Sequence, residues 1–302
     1  MAKTDSAPQD KAEGESLEIP ALDGRPLAAS LFAPAAPAQA AGQSIVVVAP
    51  GAAIPRRFYR HFARAVAERG ATAVTFDVRD IGGSRRGSIV GAETRMRDWA
   101  LKDVAGVIAW ARQTFPQQPL YWVGHSMGGF ATGLAGNGHE ITRQLSVATL
   151  NGYWGRMAGF EGYRVLTMMG GFAPLVIATR GYMPGALMGG EDMPGPAFLE
   201  WRQWCLDPDF LFADATLPEK AHFERFRAPN RFIQIADDAW GTPASVGDMA
   251  QRFSASADVH VVQVTPVMAN VSRIGHFGFF KPEMKATLWG PALDWLLEHS
   301  PS

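Results

Sequence analysis

The 302-residue sequence is poor in several features at once. A single cysteine, Cys205, leaves no partner for an intramolecular disulfide and no thiolate set for a zinc cluster, and a lone thiol suits a reducing interior. A net charge of -1 supplies no overall field to attract nucleic acid or an anionic membrane. No uninterrupted apolar run approaches the roughly 18 residues of a membrane span. The opening "MAKTDSAPQDKAEGES" lacks the apolar core of a signal peptide. Neither nucleotide-cradling pattern, G-x-x-x-x-G-K-[ST] or G-x-G-x-x-G, is present. These absences predict a cytoplasmic protein with no cofactor, no metal and no nucleic-acid partner, whose first 16 residues form a disordered tail.

What remains is an ordinary globular composition, 47% hydrophobic and 19% charged. The arginine-rich "RRFYRHFAR" places Phe58, Phe62 and Val66 at i, i+4 and i+8, which predicts an amphipathic helix with a solvated basic face. Strand and helix signals alternate. Residues 16–32 read as a hairpin turning at Asp23-Gly24. After a loose Ala/Pro segment at 33–43, buried strands are expected at "SIVVVAP" and "ATAVTFDV", followed by a long helix from about Glu93 that carries Met96, Ala100, Val104 and Ala111 on one stripe. Further strands are expected at "LYWV", "SVATLN" (146–151), "RFIQIA" (231–236) and "VHVVQV" (259–264). Continuous apolar strands separated by helices imply an α/β fold with a mostly parallel sheet covered on both faces. Residues 152–227 break this rhythm: they are rich in Met, Trp, Phe, Gly and Pro and read as an insertion of short helices dividing a core of 17–151 and 228–302.

The stretch "YWVGHSMGGF" carries the chemistry. Gly124-His125-Ser126-Met127-Gly128 fits G-x-S-x-G, in which a serine sits on a tight strand-to-helix turn and the glycines permit close approach of the two elements. The turn lifts the serine hydroxyl clear of the sheet and leaves the N–H of Met127 at a helix start, where an oxyanion can be held. A serine hydroxyl needs a base, and this turn implies the chain order Ser, Asp or Glu, His. Of the late histidines, His260 lies inside a strand, His299 sits near the C-terminus, and His222 lies at the exit of the insertion. His276, in "SRIGHFGFF", occupies a glycine-flanked loop after the last strand and is the candidate base. In "FIQIADDAWGTP", Asp237 and Asp238 both follow a strand directly, and one of the pair is expected to serve only the turn.

Together, "APGAAIPRRFYRHFARAVAERG", "FDVRDIGGS", "GHSMGG", "DDAWGTP" and "GHFGFF" resemble the α/β-hydrolase superfamily, within it a bacterial group similar to serine aminopeptidase and monoacylglycerol lipase-like hydrolases. The resemblance covers nearly the whole chain from about Leu17. It implies Ser126 as nucleophile, His276 as base and Asp238 as acid, favoured over Asp237 because the acid in this fold usually lies four or five residues before a proline such as Pro243. "PGAA" at 50–53 takes the place of the usual His-Gly loop, with Pro50 for the histidine, so the N–H groups of Ala52 and Met127 form the implied oxyanion hole. Asp80 stands where a glycine is common.

The implied reaction is acyl transfer to water from a small, apolar carboxylic ester or amide, with amide or peptide substrates the less favoured side. The insertion is expected to be a helical cap. Its Trp154, Met157, Met168, Met169, Trp201 and Trp204 are candidates for an apolar pocket, with Trp154 and Trp204 the tentative substrate-binding pair, or for the cap's own small core. An acyltransferase or lyase on the same scaffold, and an idle hydrolase-like binding module, are the alternatives.

Overall fold

The computed structural model describes residues 13–34 and 44–298. Most of the expected tail, most of the Ala/Pro segment and His299 lie outside the described residues.

Eight strands form one twisted sheet: β1 (Glu15–Pro20), β2 (Pro26–Phe32), β3 (Ile45–Ala49), β4 (Thr72–Phe76), β5 (Leu120–His125), β6 (Arg143–Val147), β7 (Asn230–Ile235) and β8 (Val259–Val264). Their spatial order is β1-β2-β4-β3-β5-β6-β7-β8. The hairpin β1/β2 and the β2/β4 pair are antiparallel, and every later pairing is parallel. β1 begins at Glu15, inside the segment expected to be tail. β3 and β5 are buried along their whole length because helices cover both faces, which is why they read as unbroken apolar runs.

α1 (Arg60–Glu68) buries Phe62 and Val66 as the spacing predicts, whereas Phe58 is only half-buried on a preceding 3₁₀ turn at Arg56–Tyr59, whose buried residue is Tyr59. The long helix expected from Glu93 starts at Met96, passes through a π-helical stretch at Trp99–Val104 and continues as α2 (Ala105–Thr114), with the predicted stripe Met96, Ala100, Val104 and Ala111 buried. α3 (Met127–Leu134) follows β5 without a loop. The strand expected at 146–151 is displaced: β6 ends at Val147, and Ala148 turns with φ 50°. The apolar run beyond it is buried as a connection behind the serine turn, where the Thr149 hydroxyl donates to the Ser126 carbonyl at 3.1 Å.

Between β6 and β7 the chain makes an excursion, with α4 (Phe160–Thr167), α5 (Ala173–Arg180), α6 (Gly195–Cys205) and a two-residue ladder joining Tyr182–Met183 to Met193–Pro194. Arg97 ties this excursion to the core. Its backbone N–H and Nε donate to Glu200 on α6 at 2.8 and 2.6 Å, and its remaining nitrogens reach Asp214 at 2.9 Å and the Thr216 carbonyl at 2.6 Å. α7 (Pro243–Arg252) and α8 (Gly290–Leu297) complete the layers. No helix among the described residues is long and apolar enough to cross a membrane.

Candidate active site

The serine turn is built where β5 meets α3. Ser126 adopts φ 50° and ψ −112°, a conformation an L-residue holds only when its surroundings impose it, at a cost of about 1–3 kcal/mol. The surroundings are tight. A Cβ on Gly124 would lie 2.4 Å from Gly129 Cα, and one on Gly128 would lie 2.6 Å from the Ala49 carbonyl oxygen. Only glycine at both positions lets helix and strand close on the turn. Met127 is the first residue of α3, so its N–H has no carbonyl one turn earlier in the helix to meet.

Ser126 opens into a cavity of ≈ 370 Å³ that also exposes Ala52, Asp237, Asp238 and His276. His276 lies on the short helical turn Gly275–Gly278, and its Nδ1 donates to Asp238 Oδ2 at 2.7 Å. Asp238 is buried, and its Oδ1 accepts the Trp240 N–H at 2.9 Å. Burial alone would raise its pKa. The charge and hydrogen bond of His276, helped by the N–H groups of Gly241 and Trp240, outweigh burial and hold the carboxyl below its usual range.

Asp237 does different work. Its two oxygens accept the backbone N–H groups of Ile274 and Gly275 at 2.9 and 3.0 Å, which pins the loop that carries His276. The adjacent acids therefore divide into one that faces the imidazole and one that shapes its loop, a division the sequence left open.

Of the apolar candidates in the excursion, Met168 and Trp201 line the cavity. Trp154 and Trp204, the tentative substrate-binding pair, do not, and this corrects the expectation. Trp204 is buried against Phe210, and its Nε1 donates to Asp214 at 3.0 Å, so it belongs to the excursion's own core. Trp154 packs edge-on against Tyr153 and tilted on Tyr163, away from the cavity. Met157 and Met169 are likewise buried outside the cavity wall. The wall is instead completed by Ile54, Leu187, Met188, Met193 and Trp240. Trp240 stacks on Trp201 with ring centroids 5.8 Å apart and donates from Nε1 to Glu161 at 2.7 Å. Its place in "DDAWGTP", two residues after Asp238, was the available signal. The other late histidines sit elsewhere: His222 bonds the Leu134 carbonyl, and His260 is exposed and paired with Asp258.

The arrangement brings a serine at a helix start, a half-buried imidazole and the buried carboxylate that orients it to one cavity. Among the described residues no group of three or more His, Cys, Asp and Glu side chains could hold a metal ion.

Residues 40–154 match a family model described as serine aminopeptidase, S33. That span includes Ala52 and Ser126 but neither Asp238 nor His276. No curated protein matches the chain in sequence. Among solved structures, the chain is similar to a soluble variant of monoglyceride lipase from Saccharomyces cerevisiae in complex with a substrate analogue, at 15% identity and TM-score 0.67 over 100% of both chains. It is also similar to the esterase Pf2001 of Pyrococcus furiosus, at 14% identity and TM-score 0.57, covering 98% of this chain and 96% of that one. An α/β serine hydrolase without a lid from Xanthomonas campestris matches at 18% identity and TM-score 0.53, covering 98% and 100%. At such identities the likeness speaks to architecture, and with the strand order above it gives the chain the α/β-hydrolase fold.

Proposed function

We propose that this α/β-hydrolase-fold protein is a serine hydrolase that cleaves a small carboxylic ester with an apolar acyl or alcohol portion through an acyl-enzyme. The observation that carries the reading is the 2.7 Å contact between His276 Nδ1 and Asp238, in the same cavity as a serine held in a strained turn.

In this mechanism the His276 Nε2 lone pair takes the Ser126 proton as Oγ attacks the ester carbonyl. Asp238 keeps the ring in the tautomer with the proton on Nδ1 and stabilises the imidazolium that forms. The N–H groups of Met127 and Ala52 receive the oxyanion. The imidazolium then protonates the leaving alcohol, and water repeats the sequence on the acyl-enzyme. The excursion at 152–227 acts as the cap, supplying Met168, Met193 and Trp201 as an apolar wall. The cavity falls within the size range of small-molecule sites, roughly 300–1,000 Å³.

A panel of esters and amides of graded acyl length, run on the protein and on Ser126→Ala, tests the reading. Ester turnover that vanishes in the alanine variant is expected. Turnover that survives in it would refute the proposed nucleophile, and a panel with no turnover at all would refute the reaction class.

A further inference from the structure

One buried histidine is left unused by that mechanism. His125, between Gly124 and the nucleophile, is fully buried, with its ring centroid 5.2 Å from that of His276. Its Nε2 lies 3.0 Å from the His276 carbonyl oxygen, and its Nδ1 lies 2.7 Å from the Tyr59 hydroxyl. The same hydroxyl is 2.9 Å from the Gly51 N–H, in the loop that presents Ala52 to the cavity. A Cβ on Gly51 would sit 2.9 Å from His125 Nδ1, so loop and ring are in direct contact.

The direction of each bond follows from what each atom can do. A carbonyl oxygen only accepts, so Nε2 of His125 carries the proton. Nδ1 of the neutral ring then accepts, the Tyr59 O–H donates to it, and the phenolic oxygen is free to accept from Gly51. Every polar atom in this chain of bonds is satisfied by one tautomer in one charge state.

We infer that Tyr59 and His125 form a positioning relay that joins the oxyanion loop, the nucleophile turn and the loop of the base into one unit. Gly51 stands for the first of these, His125 for the second and the His276 carbonyl for the third. Burial pushes the His125 pKa down to about 3, with the charge of His276 acting in the same sense, so the ring stays neutral while its neighbour becomes imidazolium. The relay rests on the serine-hydrolase reading, because it positions the groups that reading employs.

The test uses Tyr59→Phe, His125→Gln and His125→Leu on an ester substrate. Phenylalanine keeps the ring contacts of Tyr59 with Phe58 and Phe280 and removes only the hydroxyl. Loss of alignment predicts a fall in kcat of about tenfold with KM little changed, since reacting groups misplaced by a fraction of an ångström lose rate rather than substrate affinity. Glutamine can still donate to the His276 carbonyl and should retain several-fold more kcat than leucine. ¹⁵N spectra of the wild-type protein should show His125 as the Nε2–H tautomer across the neutral range, with the Nδ1 signal moved in Tyr59→Phe. If Tyr59→Phe lowers melting temperature but keeps wild-type kcat, the relay is overturned and the contacts are structural only. Equal losses in the glutamine and leucine variants, or a His125 protonated on Nδ1, would overturn it too. A wild-type protein that turns over no ester would remove the hydrolase reading and the relay with it, an outcome distinct from these.

Discussion

Asp238→Asn exchanges one carboxylate oxygen for an amide group at the atom that His276 addresses. In the native site Oδ2 accepts from His276 Nδ1 at 2.7 Å, while Oδ1 is already engaged by the Trp240 N–H at 2.9 Å. Asparagine must keep its carbonyl oxygen toward Trp240, because an amide NH₂ there would face another donor. The NH₂ then points at His276 and favours the ring with its lone pair on Nδ1 and its proton on Nε2. That ring offers Ser126 a donor where an acceptor is required. The loss expected is on the order of 10⁴-fold in kcat, equivalent to about 5.5 kcal/mol of transition-state stabilisation. Asp237→Asn disturbs only the two loop bonds to Ile274 and Gly275. One acceptor survives, so roughly 1–3 kcal/mol of local stability is lost and turnover falls by no more than about 10²-fold. Steady-state hydrolysis of a chromogenic ester by the two variants, with far-ultraviolet circular dichroism to verify folding, decides the matter. The reverse ranking would move the acid to Asp237, and small, equal losses would mean that neither carboxylate orients the base.

A fluorophosphonate probe should label the protein once, at Ser126, and intact-mass measurement of Ser126→Ala should show no adduct; an undiminished adduct would place the nucleophile elsewhere. Trp201→Ala should flatten the preference for longer acyl chains, which can reach about fourfold in kcat/KM per buried methylene, and leave acetyl ester hydrolysis nearly unchanged. Trp204→Ala should instead cost about 3–5 kcal/mol of stability and depress all esters alike, as thermal melts and a chain-length series would reveal. Stability should fall on the acid side: the unfolded chain protonates His125 below about 6.5, the folded one only near 3, so between these values the unfolded state binds the extra proton and is favoured as pH drops. Asp238, whose folded pKa is depressed, adds to the same trend as its carboxylate protonates. Melting temperature against pH should therefore decline less steeply in His125→Gln, and an unchanged slope would contradict the buried neutral ring.

The parts of this site that the sequence exposes are those set by local geometry. Glycines around Ser126 are dictated by a backbone contact, Gly124 against Gly129, that any chain making this turn must satisfy. The alternation of buried strands and amphipathic helices follows from covering both faces of a sheet, so the fold class and most strands are readable. What is hidden depends on the direction of single side chains. Trp201 and Trp204 sit three residues apart on α6, and periodicity could not say which faced the cavity. Asp237 and Asp238 are neighbours whose roles part only because the loop at Ile274–Gly275 folds back on one of them. The run at 146–151 reads as strand because it is apolar, and its apolarity has another cause, burial behind the serine turn. Tyr59 and His125 lie 66 residues apart, and nothing local couples them.

The Arg97 clamp bears on the kinetics expected of the proposed hydrolase. One arginine holds Glu200, Asp214 and Thr216 of the excursion against the core through its backbone and its whole guanidinium, and its side chain is only 15% exposed. On the serine-hydrolase proposal, a segment fastened in this way predicts that no opening step precedes substrate binding at Ser126. Progress curves should then be linear from the first seconds, with no lag, and should stay so as an ester is raised past its solubility limit into droplets. On the same proposal, loosening the fastening should introduce an opening step, seen as a lag in time before any change in rate.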